Sequence, residues 1–193
     1  FNMPVFFLML GLTMGLGAGV TASIARFIGE DKKTHADNSA EHALAMAAVI
    51  AAVFTIAGLL FGNKLLASFG AEGEILTLAW DYLYIIIIGL PFMVFSGFFR
   101  SILAGEGDMK FPMMVAGLGT ILNIILDPLF IFDLENYGGV GFGMGVKGAA
   151  MATVISQGIV FIVFVYMLFV KKHAYITFKL KDFTPSKEIL WDI

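Results

Sequence analysis

Five long apolar stretches separated by polar segments organise the chain: 3–25, 43–61, 82–99, 111–132 and 148–170. Each is long enough to cross the hydrocarbon core of a bilayer as a helix, which takes about 18 or more apolar residues. Four of them contain no Asp, Glu, Lys or Arg, and the fourth stretch contains Asp127 alone. The pattern predicts an all-α integral membrane protein with five transmembrane helices within 1–171. A cytoplasmic segment, 172–193, follows.

Composition strengthens this reading. The chain is 59% hydrophobic and 14% charged, where soluble domains average about 45–50% and about 25%. A single core in 193 residues cannot hide that much apolar surface from water, and the mean hydropathy of +0.91 agrees. The net charge of −3 comes without a basic stripe, which argues against nucleic acid as a partner. The absence of cysteine excludes disulfides and thiol chemistry.

Lysine and arginine set the orientation. Arg26, Lys32 and Lys33 follow the first stretch, and Arg100 and Lys110 lie between the third and fourth. Lys171, Lys172, Lys179, Lys181 and Lys187 follow the fifth, leaving only Lys64 and Lys147 on the opposite side. The positive-inside rule therefore places the C-terminal end in the cytoplasm and Phe1 outside. Trp80, Tyr82 and Tyr84 fall at the expected outer interface, where amphipathic rings settle. Phe1-Asn2-Met3-Pro4 lacks a basic leader and reads as a cut within a longer protein.

Several residues modify plain helices. Gly11, Gly15 and Gly19 form a small-residue row suited to close helix packing. Pro91 is expected to kink the third span, and Gly105 and Gly107 mark a tight cytoplasmic turn. Gly138, Gly139, Gly141, Gly143 and Gly145 are expected to loosen the outer loop before the last span.

Asp127 is the costly residue. A carboxylate near the centre of a membrane helix costs roughly 2.5–3.5 kcal/mol on insertion scales, and such groups are functional by default. A dry pocket would raise its pKa, so that it could hold either a proton or a metal cation. Asn123 and Thr120 lie four and seven residues earlier, on the same helical face. Pro128 lacks an N–H and frees backbone oxygens nearby. In the next span Thr153 and Gln157 repeat the four-residue spacing, with Gly148, Ala149, Ala152 and Ser156 beside them. Two antiparallel neighbours would then present both polar faces to one cavity. The plainer alternative is that Asp127-Pro128 ends the helix at the outer interface.

Enzyme chemistry finds little support. His35, His42 and His173 are scattered in polar segments, where solvation is the expected state, and no metal-binding spacing joins them. One carboxylate within the spans does not make converging nucleophile, base or metal ligands. A non-transporting scaffold would explain the glycines but not Asp127.

Four stretches carry a resemblance. Ala25-Arg26-Phe27-Ile28-Gly29; Arg100 to Asp108 with Pro112; Leu122 to Pro128; and Gly145 to Thr153 are similar, in order and spacing, to the multidrug and toxic compound extrusion (MATE) family. The family is grouped with lipid-linked oligosaccharide flippases. The resemblance covers about residues 1–171 and implies helices two to six of the N-terminal six-helix lobe of a two-lobe transporter in the cytoplasmic membrane. It further implies a proton- or sodium-coupled antiporter that exports amphipathic organic cations, with the second lobe of the same chain and membrane lipid as partners. Proton or sodium is then the coupling ion, with no other cofactor. Asn123, Asp127 and Thr153 match the family's coupling residues, with Thr120 and Gln157 as cavity lining and sodium at Asp127 and Asn123. The family's partner aspartate on the first helix has no counterpart here. A flippase is the alternative, but a pyrophosphate cavity calls for basic residues, and none lies within the five spans.

Overall fold

The computed structural model describes residues 3–133, 141–171 and 173–178; the side chains of 3–10 and 12 lie outside that description. Within it the chain forms α1 (Met3–Gly29), α2 (Lys33–Ser68), α3 (Gly73–Gly105), α4 (Lys110–Ile131) and α5 (Gly145–Val165). A π-helical turn, Tyr166–Val170, continues α5. Among the described residues α2, α3, α4 and α5 with its π turn are long and apolar enough to cross a membrane. The 27-residue α1 coincides with the first expected span. The protein is a multi-pass, all-helical membrane protein.

The helices outrun the apolar windows. At 1.5 Å per residue the 36 residues of α2 extend about 54 Å, well beyond the ~30 Å of a hydrocarbon core. A charged residue marks the edge of the lipid without ending a helix. Thus Lys33–His42 extends α2 beyond its apolar stretch, and there Ser39 meets Ser23 of α1 in a buried 3.0 Å hydrogen bond. His42 is also in this region, buried, with Nδ1 2.8 Å from the Asn38 carbonyl. The expectation that all three histidines are solvated is corrected here.

Backbone conformation closes the turns after α1 and α3. Asp31 takes a left-handed φ of 57° after α1, and Lys32 N–H bonds back to the Phe27 carbonyl at 2.9 Å. Aspartate tolerates that conformation better than most side chains. Gly107, at φ 88°, does the same after α3, with Asp108 N–H on the Leu103 carbonyl. Asp108 then accepts the backbone N–H groups of Lys110 and Phe111 at 3.1 Å, capping α4.

α3 is the hub. It packs against α1, α2 and α5, while α4 lies mainly on α5 and barely meets α3. Phe98, Phe99, Ile102 and Leu103 fill the centre with Val20 and Ile24 of α1, Ala43 and Ala47 of α2, and Phe164 of α5. Pro91 sits inside α3, and the helix runs through it without a break. Two members of the anticipated glycine row are open: among the described residues a Cβ at Gly11 or Gly15 would meet nothing within 4 Å. Contact with α3 comes instead one helical step round, where a Cβ at Gly17 would lie 2.6 Å from Ser101 Oγ. Thr21 donates a 2.9 Å hydrogen bond to the Ser101 carbonyl beside it. Met113, Met114, Ile121, Ile124 and Ile125 of α4 are exposed, as suits a helix solvated by lipid.

The α3–α5 contact depends on Gly89, where any Cβ would overlap the isopropyl group of Val154. Gly89→Ala should therefore destabilise the full-length protein by about 1–3 kcal/mol, the usual cost of overpacking. Adding Val154→Ala should recover most of that loss, as thermal unfolding in detergent would record.

Candidate functional site

The C-terminal end of α4 places Asp127. The helix does not stop at Asp127-Pro128, because it continues to Ile131 and Phe132 N–H bonds the Pro128 carbonyl at 3.2 Å. The loop then folds back: Phe142 and Met144 donate their N–H groups to the Leu129 and Phe130 carbonyls at 2.9 Å. Those terminal carbonyls would otherwise be left without donors. Asp127 is therefore a half-buried side chain inside a helix, with a turn of apolar residues beyond it.

Asn123, one turn earlier, donates an Nδ2–H hydrogen bond to Asp127 Oδ1 at 3.3 Å. Tyr82 of α3 stands close enough to Asp127 for the two to interact electrostatically. Sequence reading placed Tyr82 in the interfacial belt and missed this relation, since no local pattern links α3 to α4.

α4 and α5 touch at glycine. A Cβ at Gly148 would run into the Phe130 carbonyl and lie 3.0 Å from the Ile131 nitrogen, so α5 begins directly against the end of α4. Further in, a Cβ at Gly119 would lie 2.7 Å from Val160 Cγ2. Between these contacts opens a cleft of about 340 Å³ lined by Arg100, Ala116, Gly119, Thr120, Asn123, Thr153, Ser156, Gln157 and Val160. Four of the five residues singled out from sequence thus share one cavity. Asp127 is not among its lining residues and adjoins it through Asn123.

Hydroxyl donors are already committed here. Thr120 donates to the Ala116 carbonyl at 3.1 Å and Thr153 to the Ala149 carbonyl at 3.0 Å. Each keeps oxygen lone pairs with which to accept a proton or approach a cation. Ser156 is only 2% exposed, and its Oγ has no hydrogen-bond partner among the described residues. A buried unsatisfied hydroxyl beside a cleft is a position that a water or ligand would complete.

Arg100 changes the electrostatics. It was counted as a loop charge outside the spans, yet α3 extends to Gly105 and carries Arg100 on the wall of the cleft. The cavity therefore holds a guanidinium toward the α3 C-terminal end and adjoins a carboxylate toward the α4 C-terminal end. Around Asp127 and the cleft the anionic and neutral donors are oxygens, the hard set that suits a proton or an alkali cation. Among the described residues no group of three His, Cys, Asp or Glu side chains could hold a metal ion.

Comparison with known proteins agrees with this architecture. The family model MatE matches residues 1–129, two-thirds of the chain. The chain belongs to the MATE family. It is 30% identical over 171 residues to a FAD transporter of Shewanella oneidensis, covering 89% of this chain and 37% of that protein. It is 28% identical over 194 residues to the multidrug export protein MepA of Staphylococcus aureus, covering all of this chain and 41% of that one. The chain thus spans about two-fifths of the length of these relatives. An outward-facing structure of a multidrug resistance MATE family transporter superposes with a TM-score of 0.88 at 38% identity, over 99% of this chain and 40% of that one. An inward-facing structure superposes with a TM-score of 0.89 at 41% identity, over 99% and 42%.

The junction at Gly148 is unforgiving because it abuts main chain. Gly148→Ala should cost about 1–3 kcal/mol in the full-length protein, since backbone cannot rotate aside as a side chain can. Gly117→Ala on the same helix pair, with nothing within 4 Å, should be neutral or stabilising by up to about 1 kcal/mol. Thermal unfolding of the two variants side by side checks the contrast.

Proposed function

We propose that the chain is part of the N-terminal lobe of an ion-coupled exporter, in which Asp127 and Asn123 exchange a proton or sodium as substrate leaves the cell. The observation that carries this reading is the Asn123–Asp127 hydrogen bond beside a cleft lined by Thr120, Thr153 and Gln157. The full protein carries a second lobe, lies in the cytoplasmic membrane with the end of α5 on the cytoplasmic side, and performs transport rather than catalysis.

The step at the site follows from amide chemistry. With Asp127 ionised, Asn123 presents its N–H₂ to the carboxylate, as observed. Once a proton or sodium neutralises Asp127, the favourable partner for it is the Asn123 carbonyl oxygen, so the carboxamide turns over. Thr153 Oγ1, with its proton held by Ala149, offers a further oxygen to the incoming cation. Loss of the carboxylate charge removes the cost of drying the site and so shifts the balance between outward- and inward-open states. The substrate under this reading is an amphipathic organic cation, consistent with the similarity to MepA.

Arg100 favours a second reading of the substrate. A guanidinium on the cleft wall attracts phosphate or carboxylate, and a relative of similar closeness is a FAD transporter. Under this reading the cargo is an anionic dinucleotide and the ion chemistry at Asp127 is unchanged.

Both readings meet one experiment with the full-length protein in proteoliposomes, following efflux of a fluorescent organic cation and of FAD under imposed proton or sodium gradients. Asp127→Asn should fold and lose at least about tenfold of gradient-driven efflux, the effect of one coupling group. Unchanged efflux would remove Asp127 from the mechanism. Arg100→Ala should leave cation export intact if the first reading holds, and abolish FAD export if the second does.

A further inference from the structure

The chain leaves α5 through the π turn Tyr166–Val170, with Lys171 N–H on the Tyr166 carbonyl at 3.0 Å and His173 N–H on the Met167 carbonyl at 3.0 Å. A π turn redirects a helix end and often marks a functional position. The strand of chain beyond it does not run free. Glu106, in the turn between α3 and α4, accepts the backbone N–H of Tyr175 at 3.0 Å through one carboxylate oxygen and that of Ile176 at 2.8 Å through the other. Asp37 of α2 accepts the N–H of Thr177 at 2.9 Å. Asp108 lies 3.0 Å from His173 Nε2, and Lys33 Nζ stands 4.6 Å above the Tyr175 ring. Ile176 is 4% exposed and belongs to the main hydrophobic core.

Three consecutive main-chain N–H groups thus meet two carboxylates from two different elements, while one side chain between them is buried as a peg. Charge-assisted hydrogen bonds of this kind are the strong ones. Main-chain recognition makes the grip independent of the strap's side chains, and Ile176 sets its register. Nothing in the cleft chemistry explains the arrangement, since it lies at the opposite end of the bundle from Asp127.

We propose that Glu106 and Asp37 are positioning residues for transport: they clamp the strap 173–178 across the cytoplasmic ends of α2, α3 and α4. The chain emerging toward the rest of the transporter then starts from a fixed point on this lobe. A lobe that pivots against its partner needs such a fixed lever arm, because a slack connection would absorb the motion instead of transmitting it. The transport half of this inference rests on the exporter reading; the clamp itself does not.

Burial pushes the Glu106 carboxyl above the usual range, against the two N–H bonds that pull it down, with Asp108 and His173 the charged neighbours. An acid with a raised folded pKa is favoured in its protonated form by folding, so acidification does not cost overall stability through this group. Releasing the strap would expose that carboxyl to water and return it toward its ordinary range, so a falling pH favours the clamped arrangement over the released one.

The test uses the full-length protein in nanodiscs and in proteoliposomes. In Glu106→Ala, hydrogen exchange at the Tyr175 and Ile176 amides should accelerate at least about tenfold, as expected for lost bonds to a charged acceptor. Exchange elsewhere in α3 and α4 should be unchanged. Glu106→Gln, which keeps one acceptor oxygen, should recover part of the protection. It should also lack the wild type's gain of protection on mild acidification, after correction for intrinsic rates. Transport kcat should fall several-fold in Glu106→Ala with KM unchanged. If Glu106→Ala fails to fold, Asp37→Ala should produce the same pattern at Thr177. Unchanged exchange overturns the clamp. Faster exchange with unchanged kcat, or a raised KM, overturns the positioning role. A wild-type protein that transports neither probe sinks the exporter reading, while the exchange result still judges the clamp.

Discussion

Helices in lipid gain nothing by burying apolar side chains against each other, because the acyl chains outside are equally apolar. Association rests on close van der Waals contact and on the few polar groups that must find partners. In this lobe several close contacts are made by glycine, among them Gly89 against Val154, Gly148 against the backbone at Phe130, and Gly119 against Val160. The first seats α5 on the central α3, and the other two pin α4 onto α5. Since α4 barely touches α3, its place, and so the place of Asp127, depends on those two glycines. The cleft is what remains between the glycine contacts.

The polar groups are settled by a second rule. An unpaired donor or acceptor in a lipid-embedded helix is costly, so most bond locally. Thr120 and Thr153 donate to their own helices, and Ser23 pairs with Ser39. Against that background the cleft stands out. Its Ser156 hydroxyl lacks a partner among the described residues, and its Asn123 amide serves a carboxylate through a long 3.3 Å bond. Groups held this loosely can exchange partners, which an ion-exchanging site requires and a purely structural one does not.

At the end of the bundle where α1 and α3 finish, the constraint is different, because charged residues cluster beyond the apolar stretches and carboxylates there are inexpensive. There Asp108 caps α4, while Glu106 and Asp37 hold main-chain N–H groups of the chain leaving α5. The two ends of the bundle thus divide the work. Near the C-terminal end of α4 the Asp127 carboxylate sits within an apolar stretch, where charge is costly. At the other end Asp37, Glu106 and Asp108 bind backbone and hold geometry. The similarity of the fold to both outward- and inward-facing transporters suits a lobe whose interior is held together in this way.

Much of this was legible in the chain itself. Unbroken apolar runs between charges can only be membrane helices, so element number and type followed from composition and order. The turn at Gly107 was legible from its glycines, and the shared face of Thr120, Asn123 and Asp127 from helical periodicity. What the runs could not show was where helices end, since a charge marks the lipid boundary and not the last hydrogen bond; α2 continues through Lys33–His42 for that reason. Nor could they show which glycines touch. Gly11 and Gly15 have the expected spacing and meet nothing, whereas Gly17 and Gly148 lie against neighbours, because contact depends on how helices are rotated about their axes. The same rotation brings Arg100 to the wall of the cleft and Tyr82 near Asp127. Those relations join residues tens of positions apart, and only the tertiary structure decides them.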